Sequence, residues 1–61
     1  MLIEDKTLAL LYSLYIIYGV TIYDKKFIVH KLFSINKERE AEYINSITMP
    51  EYEKLVKKIM E

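Results

Sequence analysis

The side chains of this chain that carry reactive groups are few, and their spacing does not suit catalysis. His30 is the sole histidine. On a helix, the residues three and four positions away from it are Lys26, Phe27, Phe33 and Ser34. None is a carboxylate able to orient or charge the ring, as a general base requires. Ser13, Ser34 and Ser46 have neither a base nearby nor a glycine elbow, so nothing activates a serine nucleophile. Glu38 and Glu42 stand four apart on one helical face, and Glu51 and Glu53 flank Tyr52, but no histidine joins either pair and no calcium-loop spacing follows. With no cysteine in the chain, thiolate zinc centres and disulfides are both excluded. The expectation is a protein that is not an enzyme and has no catalytic residues, no cofactor and no metal.

What remains is the chemistry of contact. Tyr12, Tyr15 and Tyr18 recur every three residues, which lays a slowly turning ribbon of rings along a helix, and Leu8 and Leu11 lengthen it. Rings with polar tips bury much area with little loss of rotamer freedom, and interface hot spots are built from them. Leu8, Leu11, Tyr12, Tyr15 and Tyr18 are therefore the candidate oligomer or partner interface. A second candidate surface is basic: Lys25, Lys26, Lys31 and Lys37 face Asp24 alone, so residues 24–37 carry a net +3. Phe27 and Phe33 are interleaved with these lysines, and the alternative they support is a small dimeric DNA-binding regulator. Against it, Arg39 is the sole arginine and lies in an acidic run, whereas readers of guanine favour arginine. The phenylalanines also fit core or contact positions better than base-stacking ones. Net charge over the whole chain is zero, so no global field attracts nucleic acid or an anionic membrane.

The elements that must position these residues are helical. Residues 7–23 form an uncharged run of seventeen whose apolar side chains surround a helix: Leu8, Leu11, Tyr12 and Tyr15 on one side, Leu10, Leu14 and Ile17 on the other, Ile16 between. A chain of 61 residues offers little material to wrap such a rod, and a core of this size is marginal without a staple. With disulfide and metal excluded, oligomerisation is the staple left, most simply a dimer. A bilayer is the other possible cover, and a single-span membrane protein is a second alternative. The run sits at the short limit for a span, and its mid-run Tyr15 and Tyr18 and its hydroxyl groups suit a protein contact better than hydrocarbon. The first helix is predicted from Glu4 or Asp5 to about Tyr18, with Gly19 as its left-handed terminator, or, with Gly19 inside it, to about Tyr23.

From Asp24 as N-cap a second helix follows, with Ile28, Val29, Leu32, Phe33 and Ile35 on one arc and Lys26, His30 and Ser34 opposite. It continues to about Ser46, or pauses at Ser34-Ile35-Asn36 and restarts. The β-branched and aromatic stretches 20–23 and 27–29 leave a short hairpin near 20–31, hence an α+β fold, as the structural alternative. The last helix opens on Thr48-Met49-Pro50-Glu51, a capping box with proline in the first turn. It runs on with Tyr52, Leu55, Val56, Ile59 and Met60 in one stripe. Ile47 and Tyr52 stand where a hydrophobic staple would.

Tyr18-Gly19 followed by Ile22-Tyr23, and Ile47 followed by Glu51-Tyr52, resemble the short YqgQ-like helical proteins of low-GC bacteria. The loop after the first helix departs from that pattern at Asp24-Lys25-Lys26. The resemblance implies a helical fold and carries no site residue over. The sequence is thus read as a single all-α domain over 1–61, a bundle of three or four helices completed by oligomerisation. Its expected function is that of a small interaction or regulatory protein, an adaptor or a phage- or virus-type inhibitor of an unidentified protein target. Glu4 and Asp5 stand where a secretory leader would be cationic, so the expected location is the cytoplasm, or a host's cytoplasm for a phage or viral protein.

Overall fold

A computed structural model describes residues 2–61. Four helices follow one another: α1 (Ile3–Ile16), α2 (Lys25–Ser34), α3 (Glu38–Ser46) and α4 (Met49–Met60). Local chemistry accounts for each boundary. Glu4 and Asp5 lie in the first turn of α1, where carboxylates meet the positive end of the helix dipole. The helix stops where Gly19 takes a φ of +67° and the Val20 N–H turns back to the Leu14 carbonyl at 2.9 Å. The Asp24 carboxylate caps α2 by accepting from the Phe27 N–H at 3.2 Å.

Between α2 and α3 the chain pauses and restarts. Asn36 adopts a φ of +62°, its N–H reaches the Phe33 carbonyl, and the Lys37 N–H reaches that of Leu32 at 2.8 Å. These paired bonds around a left-handed residue are a Schellman termination, which satisfies carbonyls that a helix end leaves open. The capping box of α4 forms in full. Glu51 N–H donates to Thr48 Oγ1, and Thr48 N–H donates to Glu51 Oε1 at 2.9 Å.

No strand occurs among the described residues, so the hairpin alternative near 20–31 is corrected to a loop followed by a helix. The reason lies in the Asp24 cap and in which side chains go inward. Ile28 and Leu32, one helical turn apart, are both fully buried while His30 midway between them is exposed, whereas a strand would turn all three to one face.

α2 packs on α3, and α1 packs on both α3 and α4. One core results, built from Leu11 and Leu14 of α1, Ile22 of the loop, Ile28 and Leu32 of α2, Ala41 and Ile44 of α3, and Tyr52 and Val56 of α4. The Cα radius of gyration is 10.2 Å, against about 10.5 Å for a compact domain of this length. A single copy therefore hides more of the first helix than its composition suggests. Thr7, Leu11 and Leu14 are buried within the chain, and the Thr7 hydroxyl donates to the Ile3 carbonyl at 2.7 Å. The expectation that one copy has nothing with which to wrap this helix is corrected for that side: α3, α4 and the returning loop supply the cover. The outward side stays bare.

Candidate functional site

The five residues of the expected contact ribbon are divided by the fold. Leu11 is fully buried in the core of the single chain, so it drops out of any contact surface. Leu8 is half-buried, and Tyr15 is half-buried and packed against the core. Tyr12 and Tyr18 point to solvent with 52% and 73% of their surface exposed. Two residues outside that set join them, Ile16 at 54% and Ile17 at 68%. The ribbon splits because a period of three drifts about 60° per step against the helix; α3 and α4 take the inward step and leave the others out. The sequence signal for Ile16 and Ile17 was present, since an uncharged run that surrounds a helix must expose one of its sides.

The bare strip continues past the end of α1 into a groove of about 460 Å³ lined by Leu10, Ser13, Leu14, Tyr18, Val20, Lys31 and Ile35. Ser13 lies one turn before Ile16 and Ile17, so strip and groove share an edge. Its hydroxyl is already satisfied by the Ala9 carbonyl at 3.0 Å. Val20 and Lys31 also line an adjoining hollow with Phe27. Lys31 is the one charged side chain of the groove, and among the described residues the ion pair present is Lys58 with Glu4, 3.4 Å apart, on another face.

The far wall of the groove is held by a buried tyrosine. The Tyr52 hydroxyl of α4 donates to the Ile22 carbonyl, and both residues are fully buried. Burial, and secondarily the negative charge of Asp24, push this phenol above its ordinary range. The bond fixes the loop 17–24 to α4, and with it Val20. In sequence Tyr52 reads as one member of an apolar stripe; its anchoring role was legible only in that a buried phenol needs an acceptor. A smaller polar cluster joins Tyr43, Glu4 and Lys58, with Tyr43 donating to Glu4 at 3.4 Å. Desolvation first, then the Glu4 charge, raise the Tyr43 phenol.

The basic segment is dispersed. Lys25 reaches back to the Asn45 carbonyl at 3.5 Å and so leaves the outer face of α2. Lys26 and Lys37 are exposed and Lys31 borders the groove. Phe27 and Phe33, expected as core or contact residues, lie largely at the surface, and His30 stands between them. The core arc of α2 is narrower than the apolar arc of its sequence, because α3 covers one side alone. No group of three or more potential ligands converges for a metal among the described residues. None of the helices is long and apolar enough to cross a membrane.

Set against protein-family models, curated proteins and solved structures, the chain finds no match in any of the three. The YqgQ-like resemblance therefore gains no support from the family models, and the functional reading rests on the surface itself.

Proposed function

We propose that this protein is a small, non-enzymatic interaction protein that self-associates through the outward side of its first helix and acts by contact with another macromolecule. The observation that carries this reading is the bare strip of Tyr12, Ile16, Ile17 and Tyr18. At roughly 200 Å² for a whole large side chain, these four leave about 500 Å² of mainly apolar surface in water. That is the upper part of the range for the largest patch on a monomer, which is often a functional one. A second copy is the simplest partner, since each copy brings the same patch to a two-fold axis. In the pair, the charged outer faces of α3 and α4 stay exposed to meet a protein target as an adaptor or inhibitor would.

The proposal takes the protein to be cytoplasmic, a host's cytoplasm included. A secreted domain this small ordinarily carries disulfides, and the chain has no cysteine. Sedimentation of the purified chain without detergent tests the reading. A dimer at micromolar concentration is expected; a monomer that persists to the millimolar range refutes it.

One observation favours the runner-up, a DNA-binding regulator. Phe27, His30 and Phe33 lie along the solvent side of α2 with Lys26 beside them, and α2 carries no acidic residue. That reading expects salt-sensitive retention on duplex DNA, lost when Lys25, Lys26 and Lys31 are changed to Glu.

A further inference from the structure

We infer that two copies pair about a two-fold axis through the end of α1, each seating Tyr18 in the groove that Leu10, Val20, Lys31 and Ile35 form on the other. The inference rests on the self-association proposed above and moves its centre from the middle of the helix to the terminal turn.

An isologous contact needs a surface that complements itself, with projection and hollow side by side on the same face. This surface has that arrangement. Tyr18 is 73% exposed and forms one rim of the groove. Rotating a second copy by 180° about an axis beside that rim brings each ring over the other copy's hollow. The floor is apolar, from Leu14 and Val20, and the hollow of about 460 Å³ is half open to solvent, so a ring can enter it from outside.

The single charge in the groove also fits this occupant. The Lys31 ammonium, unpaired among the described residues, borders the hollow that receives the ring, and a cation beside an aromatic face is attracted to it. α1 has no basic residue in its last turn, so its C-terminal carbonyls present partial negative charge that nothing from that helix offsets.

Area points the same way. The strip alone falls short of the roughly 800 Å² per partner that a stable pair buries. Adding the groove walls, with Ile35 partly exposed, and Phe27 of the adjoining hollow brings the surface to about that value. Pairing centred on Tyr12 would leave both groove and Tyr18 ring in water.

The absence of cysteine from the chain permits a clean test. Sedimentation equilibrium compares the native protein with Tyr18→Asp and Tyr12→Asp, both at exposed positions where folding is checked by circular dichroism. Tyr18→Asp is expected to weaken the dimer on the order of thirtyfold or more, the size of a hot-spot loss. Tyr12→Asp, at the edge of the contact, is expected to weaken it at least several-fold less than Tyr18→Asp does. In a second measurement, Tyr18→Cys protein is mixed with Ile35→Cys protein and oxidised, and the mixed disulfide is expected to outnumber both homodimers. If Tyr12→Asp dissociates the dimer and Tyr18→Asp does not, self-association stands and this placement is overturned. If the native protein is a monomer throughout, the reading beneath it fails too.

Discussion

Tyr52→Phe removes one oxygen atom and isolates the anchor that holds the loop 17–24. The ring stays, so apolar packing is unchanged, but the Ile22 carbonyl loses the phenol that donates to it in a fully buried setting. Leaving a buried acceptor without its donor costs about 1–3 kcal/mol. A domain of this length holds roughly 3–9 kcal/mol in total, so a loss of about 2 kcal/mol consumes a large share of it. With a shift of about 4–8 °C for each kcal/mol in a domain this small, Tm should fall by about 8–16 °C. Thermal denaturation followed by far-UV circular dichroism at pH 7 reads this directly.

A second readout separates the hydrogen bond from simple repacking. The folded-state pKa of Tyr52 is raised above its unfolded value of about 10. A raised phenol contributes stability that is complete below the unfolded value and declines as pH climbs beyond it, because the unfolded chain then releases a proton that the folded chain keeps. The gap in stability between the native protein and Tyr52→Phe should therefore narrow above pH 10. A Tm within 2 °C of native at pH 7, or a gap that stays constant through pH 11, would refute the anchoring role.

Leu11→Ala should cost about 2–5 kcal/mol by opening a core cavity, whereas Tyr12→Ala, one residue on and exposed, should change monomer stability by less than about 0.5 kcal/mol; urea midpoints at low protein concentration compare them, and equal losses would contradict the division of α1 into inward and outward sides. Glu51 has a lowered carboxyl pKa, chiefly because it accepts the Thr48 backbone N–H. Its contribution is therefore present above the unfolded carboxylate value and lost as pH falls through the folded one, so Glu51→Gln should bring the native and variant urea midpoints together in acid and separate them at pH 7. Gly19→Ala meets no atom within 4 Å, so its cost should be that of the left-handed backbone alone, about 1–2 kcal/mol. A larger loss by chemical denaturation would mean that the turn carries packing as well.

Those elements whose signals are local were legible in the sequence. The α4 capping box needs four consecutive residues, the Asp24 cap four more, and Gly19 and Asn36 stand where a left-handed backbone ends a helix. An all-α bundle follows from such neighbours, together with apolar spacing that favours 3.6 over 2, but the choice between three helices and four, and between helix and hairpin near 20–31, needed the packing. The candidate surface was legible in composition and not in detail. The uncharged run announced that something must cover or contact α1, but the five residues chosen from it included Leu11, which is core, and omitted Ile16 and Ile17, which are bare. Period alone ranks residues around a helix without saying which direction faces inward.

The sequence by itself determined where the last helix opens and which residue caps the second, that no thiol or histidine cluster can do chemistry, and that the first helix is too apolar to stand alone, because all of these depend on residues within a few positions of one another or on counting. Tertiary structure decided which side of α1 meets α3 and α4, that Tyr52 reaches thirty residues back to the Ile22 carbonyl, and that Phe27 and Phe33 face solvent. Those outcomes depend on how four rods share one small core. A side chain's burial is a property of whatever lies across from it, and in this fold the facing residues come from distant parts of the chain.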